Sequence, residues 1–368
     1  MTSTSTDTTP SPTHTSPAVA RLAERSALVL GASGGIGGEV MRQLRAAGWQ
    51  VRAMKRGLPA SAARVDASGV EWVPGDAMSA ADVRAAAEGC AVIVHAVNPP
   101  GYRDWSTLVL PMVDATIAAA CATGATLVLP GTVYNFGPDA FPRLREDDPQ
   151  RPVTRKGAIR VEMERRLETA SARGARVLVV RAGDFFGPGA SRNSWFAQGL
   201  VAVGRPVTRV NVPNAPGVGH QWSYLPDAAR SIVALLERRA TLPAFARFHL
   251  AGHWDEDGTR MAEAIRRVVA RRTGRAPSAR PLPWWLLTLA APFSTTMREM
   301  REMRYLWRTP VRLDGTRIAQ VLGQEPHTPL DDAVEAALEG LGCLPVRDDT
   351  ARAASRDSTS GASAVRVG

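Results

Sequence analysis

The run Gly31-Ala32-Ser33-Gly34-Gly35-Ile36-Gly37 places three glycines three residues apart, directly after the β-rich stretch Ala27 to Leu30 and at the start of a helical one. A turn of this kind can hold phosphate. The first glycine permits the tight turn, the second lets backbone approach a pyrophosphate, and the third lets helix and strand pack closely, while the helix N-terminus favours negative charge. The strand-turn-helix-strand context predicts a dinucleotide site built on Gly31, Ser33, Gly34, Gly35, Ile36 and Gly37.

The next strand ends in Ala53-Met54-Lys55-Arg56, where an NAD site usually places an acid for the ribose hydroxyls. Two adjacent cations suit a 2′-phosphate instead, Lys55 as a compact charge and Arg56 through paired hydrogen bonds or stacking on adenine. NADP is therefore the expected cofactor, with NAD second. The plainer reading is two basic residues on a surface loop. Gly75-Asp76-Ala77 and His95-Ala96 close the following strands beside the expected cofactor path. Asp76 could accept from the adenine amino group or merely cap a turn, and His95 could be a core histidine.

The elements that must position these groups alternate as in a parallel sheet covered by crossover helices. Expected strands are Ala27 to Leu30, Gln50 to Met54, Val70 to Val73, Ala91 to Ala96, Ala125 to Leu129 and Arg176 to Val180, with Phe248 to Leu250 later. Ser79 to Asp82 opens one helix with an acidic capping box. Other helices are expected over Asp227 to Arg239, Thr259 to Arg272 and Leu330 to Leu341. The predicted fold class is α/β: a Rossmann-type doubly wound parallel sheet with a smaller C-terminal substrate lobe. Residues 26–183 would form the NAD(P)-binding domain, with 220–245 returning to it, and 184–219 and 246–345 the substrate-binding lobe. The Ser/Thr/Pro-rich 1–20 and the Ser/Ala/Arg-rich 347–368 read as disordered tails.

Composition narrows the classes. The chain has 368 residues and a formal charge of +10, and its two lysines, Lys55 and Lys156, stand among 45 basic residues. The arginines are scattered among apolar and acidic residues, which favours a solvated or salt-bridged surface over nucleic-acid contact. Cys90, Cys121 and Cys343 lack disulfide-framework or zinc spacing, so no metal is expected and a reducing, cytoplasmic location is. The apolar stretch Leu282 to Phe293 is too short and too proline-bounded to span a bilayer. It reads as a buried or pocket-lining helix, with interfacial membrane contact as the alternative and no stable membrane insertion. A homodimer is left open.

From Ala27 to Leu341 the chain resembles the extended short-chain dehydrogenase/reductases, the NAD-dependent epimerase/dehydratase group. The resemblance rests on the glycine turn, Gly75-Asp76, His95-Ala96, Val133-Tyr134 with Gly137, Glu146 to Pro152, Arg181 to Gly189 and Tyr224-Leu225-Pro226-Asp227. It implies a cofactor domain, a substrate lobe and hydride chemistry assisted by a Tyr-x-x-x-Lys pair with a Ser or Thr. That pair is missing: the residues four places after Tyr102, Tyr134, Tyr224 and Tyr305 are Ser106, Pro138, Ala228 and Thr309. Alignment on Pro149, Pro152 and Gly157 sets Lys156 at the tyrosine position and Arg160 at the lysine position, with Glu164 on the same helix. Pro130 stands at the family's hydroxyl position, with Thr132 the nearest hydroxyl.

Lysine can lose its proton beside another cation, so Lys156 is a candidate proton donor with Arg160 tuning it or holding an anionic substrate, on one helix face begun at Pro152. Thr132 and Tyr134 are the competing groups. Asp184, Asn193, Trp195, His220 and Trp222 would contact substrate, with Trp284 and Trp285 as an aromatic wall. The sequence supports two functions. One is an NADP(H)-dependent oxidoreductase, epimerase or dehydratase acting on a small carbonyl or hydroxyl compound; the other is an NADP-binding sensor or regulator without turnover.

Overall fold

The structure, a computed structural model, describes residues 24–59, 64–99, 104–189 and 194–345. The expected tails and Asn193 lie outside the described residues. In chain order the strands of the main sheet are β1 (Ser26–Leu30), β2 (Gln50–Lys55), β3 (Arg64–Val65), β4 (Val70–Pro74), β5 (Val92–His95), β6 (Thr126–Gly131), β7 (Val177–Arg181) and β8 (Phe245–His249). They lie side by side as β8-β7-β6-β5-β1-β2-β4-β3. Every pairing is parallel except β3 with β4. Strand order therefore reverses at β1 and β5, which is where a doubly wound sheet opens a crevice at its carboxyl edge.

Burial on both faces explains the near-continuous apolar strands. Along β1, Ala27 and Val29 face one core with Val40, Leu44, Ile232 and Phe248. Leu28 and Leu30 face the other with Val83, Val113, Leu127 and Met163. Helices α1 (Gly35–Ala46) and, later in the chain, α5 (Leu225–Glu237) cover the first face; α2 (Ala80–Ala87), α3 (Trp105–Thr123) and α4 (Arg155–Ser171) cover the second. Helix α3 is long and apolar enough to cross a membrane. Here its apolar side, with Val109, Met112, Val113 and Ala120, packs into the second core.

Past β7 the chain builds a smaller lobe. Asp184–Phe186, His220–Tyr224 and His253–Asp255 form a three-stranded sheet, backed by α6 (Arg260–Thr273) and by a core of Phe186, Trp222, Ile265, Trp307 and Val334. Its remaining α-helices are α7 (Trp284–Ala290), α8 (Thr295–Glu302) and, past α9 (Thr316–Leu322), which packs on the main sheet, α10 (Leu330–Gly340). Two segments sit differently from the sequence expectation. Phe245–His249 is the edge strand of the main sheet and not lobe, because Ala246 and Phe248 supply the inward face that its core needs. Ile318 of α9 joins the same core. Conversely His220–Tyr224 pairs with Asp184–Phe186 in the lobe, so the return to the main domain begins only at Leu225.

Candidate active site

Gly31 has φ +84, and a Cβ there would lie 2.5 Å from the Ala96 carbonyl oxygen. A Cβ on Gly37 would lie 2.3 Å from the Gly31 oxygen. Both glycines are thus fixed by the fold itself, one by a left-handed turn and both by close packing. Gly34 differs, having φ −91 and ψ 172 as the N-cap of α1. Its missing Cβ would meet only the Gly31 oxygen, at 3.2 Å, within 4 Å. Space, not backbone conformation, is what Gly34 provides. No acidic side chain occupies the first turn of α1 and no side chain caps it, so its N–H groups suit a phosphate anion.

This turn lines a cleft of about 940 Å³. The sheet order dictates what else reaches it. From one end, Asp76 after β4 and Lys55, which ends β2, with Arg56 flank Gly31, Ser33, Gly34, Gly35 and Ile36 after β1. His95 and Ala96 follow at β5, then Thr132 and Tyr134 after β6, and Asp184 after β7. Ala77 lines it too, whereas Gly37 sits behind the turn. Lys55 and Arg56 are exposed at the rim, with Lys55 Nζ 6.0 Å from the centroid of the Trp72 ring. Asp76 is fixed by a modified version of the expected capping box: Ser79 Oγ accepts from the Asp82 N–H, but the Asp82 carboxylate accepts from the backbone N–H of Asp76.

His95 is 2% exposed. Its Nδ1 is 2.8 Å from Thr116 Oγ1, whose hydroxyl donates to the Met112 carbonyl. Thr116 must therefore accept, which puts the proton on Nδ1 and leaves Nε2 as an acceptor with no partner among the described residues. Burial, with the Arg160 charge adding to it, lowers the His95 pKa to about 3. The ring is neutral at physiological pH.

The α4 row Lys156, Arg160 and Glu164 is buried throughout. The helix begins at Arg155 behind an N-cap, Thr154, whose Oγ1 accepts from the Gly157 N–H at 3.0 Å, so Pro152 lies before the helix rather than at its start. The three residues share a face as their spacing requires, yet residues four apart are about 6 Å apart along the axis and end in different surroundings. Arg160 lines the cleft, where its guanidinium donates to Asn98 Oδ1 at 3.0 Å. Lys156 is not among the lining residues; its Nζ stands 6.0 Å from the centroid of Trp105, and it is Trp105 that lines the cleft. Glu164 lies beneath the site and takes both amino groups of the Arg181 guanidinium at 2.9 Å.

That ion pair anchors a network which sequence inspection did not assign. Arg181 also donates to the Thr132 carbonyl at 2.6 Å and to His249 Nε2 at 3.1 Å, while Asn135 and Gln150 donate to Glu164. It fixes the turn that presents Thr132 and Tyr134. The signal was present in the sequence as Glu164 on the α4 row and an arginine ending a buried strand, but neither reveals a partner.

On the lobe side, Asp184 and Trp195 line the cleft and His220 and Trp222 do not. His220 donates from Nε2 to Asp184 Oδ2 at 2.8 Å and stacks on Trp307 at 3.7 Å, so it positions Asp184 from behind. Trp222 is 1% exposed in the lobe core, against Phe186 and Phe196, because successive strand side chains alternate faces. Trp284 packs on Trp195, and Trp285 is 64% exposed. Away from the cleft, Asp227, His253 and His327 bring potential metal-ligand atoms within 4.8 Å, but Asp227 is already engaged by Arg230 and by the Thr328 N–H and hydroxyl.

Residues 31–212 match a family model described as NAD(P)H-binding. Among solved structures, MoeE5 in complex with UDP-glucose and NAD is 20% identical, with a TM-score of 0.63 covering 86% of this chain and 98% of that one. A UDP-glucuronic acid 4-epimerase from Bacillus cereus, in complex with UDP-glucuronic acid and NAD, is 14% identical, with a TM-score of 0.64 and the same coverage of 86% and 98%. A UDP-galactose 4-epimerase is 18% identical at a TM-score of 0.60, again over 86% and 98%. No curated protein matches the chain.

Proposed function

We propose, starting from a chain whose residues 31–212 match a family model described as NAD(P)H-binding and whose fold is that of MoeE5 and a UDP-galactose 4-epimerase, that this protein is an NADP(H)-dependent enzyme. It acts on a small carbonyl or hydroxyl compound. The observation that carries the reading is the continuous cleft from Lys55 and Arg56, across the glycine turn, to Thr132, Tyr134, Arg160 and Asp184. MoeE5 and the UDP-glucuronic acid 4-epimerase each hold NAD with a UDP-sugar, which makes a nucleotide sugar the first substrate class to test; the paired cations favour the 2′-phosphorylated cofactor here.

A bound nicotinamide would supply or accept the hydride. The pyrophosphate would lie on the N–H groups of Gly34 to Ile36, and the 2′-phosphate between Lys55 and Arg56. Tyr134, which lines the cleft where Lys156 does not, gives its hydroxyl proton to the substrate oxygen as the carbonyl carbon is reduced and takes it back in the reverse direction. Arg160, oriented by Asn98, stabilises negative charge on that oxygen or on a substrate anion. Lys156 acts from behind Trp105, as a positioning residue.

Turnover separates these roles. Tyr134→Phe is expected to lower kcat at least about 100-fold with cofactor affinity held within a few fold, the usual scale of lost acid catalysis. Lys156→Met is expected to cost about tenfold or less. The reverse ranking would return the proton to Lys156. A second reading, an NADP sensor without turnover, draws support from Pro130 on the cleft wall, where the sequence resemblance implies a hydroxyl. Transfer of deuterium from the 4-position of labelled NADPH to a carbonyl or nucleotide-sugar substrate would exclude it.

A further inference from the structure

Helix α7 is apolar on both sides, and the fold uses only one of them. Leu287 and Ala291 are 8% and 2% exposed. Trp284 is anchored by its Nε1 donating to the Pro213 carbonyl at 2.9 Å and by its ring lying against Trp195. Trp285, Leu286 and Leu289 fall within about 100° of one another on the opposite side of a helix and are 64%, 46% and 65% exposed. Phe293, just beyond the helix, is 92% exposed. These make four of the seven exposed large hydrophobic residues described, within nine positions of sequence. An apolar patch of this density marks a contact surface.

Its surroundings select the partner. Between Arg275 and Arg308 the sequence holds six arginines and two acids, Glu299 and Glu302. Arg275, Arg280, Arg298, Arg301 and Arg308 are exposed, and Glu302 accepts from the Arg155 N–H. An apolar ridge with exposed tryptophan, flanked by arginines whose stems can lie along it, has the composition of an interfacial helix on an anionic bilayer. A second copy of this chain fits less well, since a two-fold contact would set the arginines of one protomer against those of the other. At seven residues the helix is about 10 Å long, far below the hydrocarbon thickness, so contact is interfacial.

We propose that the α7 ridge, Trp285, Leu286, Leu289 and Phe293, docks this protein on an anionic lipid surface. Because Trp284 abuts Trp195 on the cleft wall, docking sets the substrate end of the cleft beside the lipid boundary, where an amphiphilic carbonyl or hydroxyl compound can enter. The docking surface stands whether or not the chain turns over substrate.

The test is co-sedimentation of the full chain with phosphatidylcholine vesicles prepared with and without phosphatidylglycerol. Binding is expected on the anionic vesicles, weakening as salt is raised. The surface variant Trp285→Ser/Leu289→Ser/Phe293→Ser should lose about tenfold or more of it, with circular dichroism and NADPH affinity unchanged. Arg280→Gln/Arg298→Gln/Arg301→Gln should reduce the preference for anionic over neutral vesicles. Absence of vesicle binding, or binding by the serine variant equal to wild type, overturns the proposal. So does sedimentation velocity showing a dimer that the serine variant dissolves while neither protein binds vesicles, which would make the ridge a self-contact.

Discussion

His95 has a single assigned task in the cleft wall, to present a lone pair. The Thr116 hydroxyl fixes its tautomer, and burial holds its pKa near 3. A histidine depressed in the folded state contributes stability that is complete above the unfolded value of about 6.5 and is lost as pH falls toward the folded one. We expect the His95 ring signals in NMR to stay at neutral-tautomer positions across a window of about two pH units around the ordinary value of about 6.5. A titration midpoint near 6.5 would contradict the buried geometry. Lys55 and Arg56 work at the opposite end by charge alone. Lys55→Asp should weaken NADP by about tenfold or more and change NAD by only a few fold, since one phosphate contact of this kind contributes roughly 1.5–3 kcal/mol. Equal loss for both cofactors would contradict a 2′-phosphate site. Residue types at these places were readable in the sequence because strand ends carry the function. Whether Lys156 or its neighbour Arg160 reaches the cleft was not, because a helix row fixes a face and not a position along the wall.

At the scale of elements, α4 and β7 are joined by the Glu164–Arg181 pair, whose side chains are 5% and 1% exposed. Removing one partner leaves a buried charge, which typically costs about 3–5 kcal/mol. Glu164→Ala should therefore lower unfolding stability by that order and loosen the Thr132–Tyr134 turn, measured by denaturant unfolding. A loss under about 1 kcal/mol, the scale of a surface pair, would show that the network does not hold the site. Six main-sheet strands were legible to within a residue or two, since continuous apolar runs between turn residues have few other solutions. The lobe was less legible. His220–Tyr224 and Phe245–His249 are both short and mixed in polarity, and only long-range pairing assigns one to the lobe sheet and the other to the main edge. Trp222 shows the same limit: aromatics near a cleft and aromatics in a core look alike until the strand's facing is known.

Across the whole molecule, the chain sets a cofactor-binding sheet edge against a lobe that supplies Asp184 and Trp195, and arginine recurs in surface ion pairs. The pairs Arg267–Asp331, Arg271–Glu335 and Arg272–Glu339 tie α6 to α10. The +10 formal charge still draws anions toward the cleft, so cofactor association should slow as salt is raised. The central claim is that a dinucleotide lies along the Gly31 to Gly37 turn, and isothermal titration of NADPH into wild type and Gly34→Val addresses it most directly. Because Gly34 has an ordinary extended backbone and a Cβ there would meet only the Gly31 oxygen, at 3.2 Å, the valine chain should fold after a local adjustment of the turn while NADPH binding disappears. Gly34→Val binding NADPH with wild-type affinity, or wild type failing to bind it and NADH alike, would contradict the account.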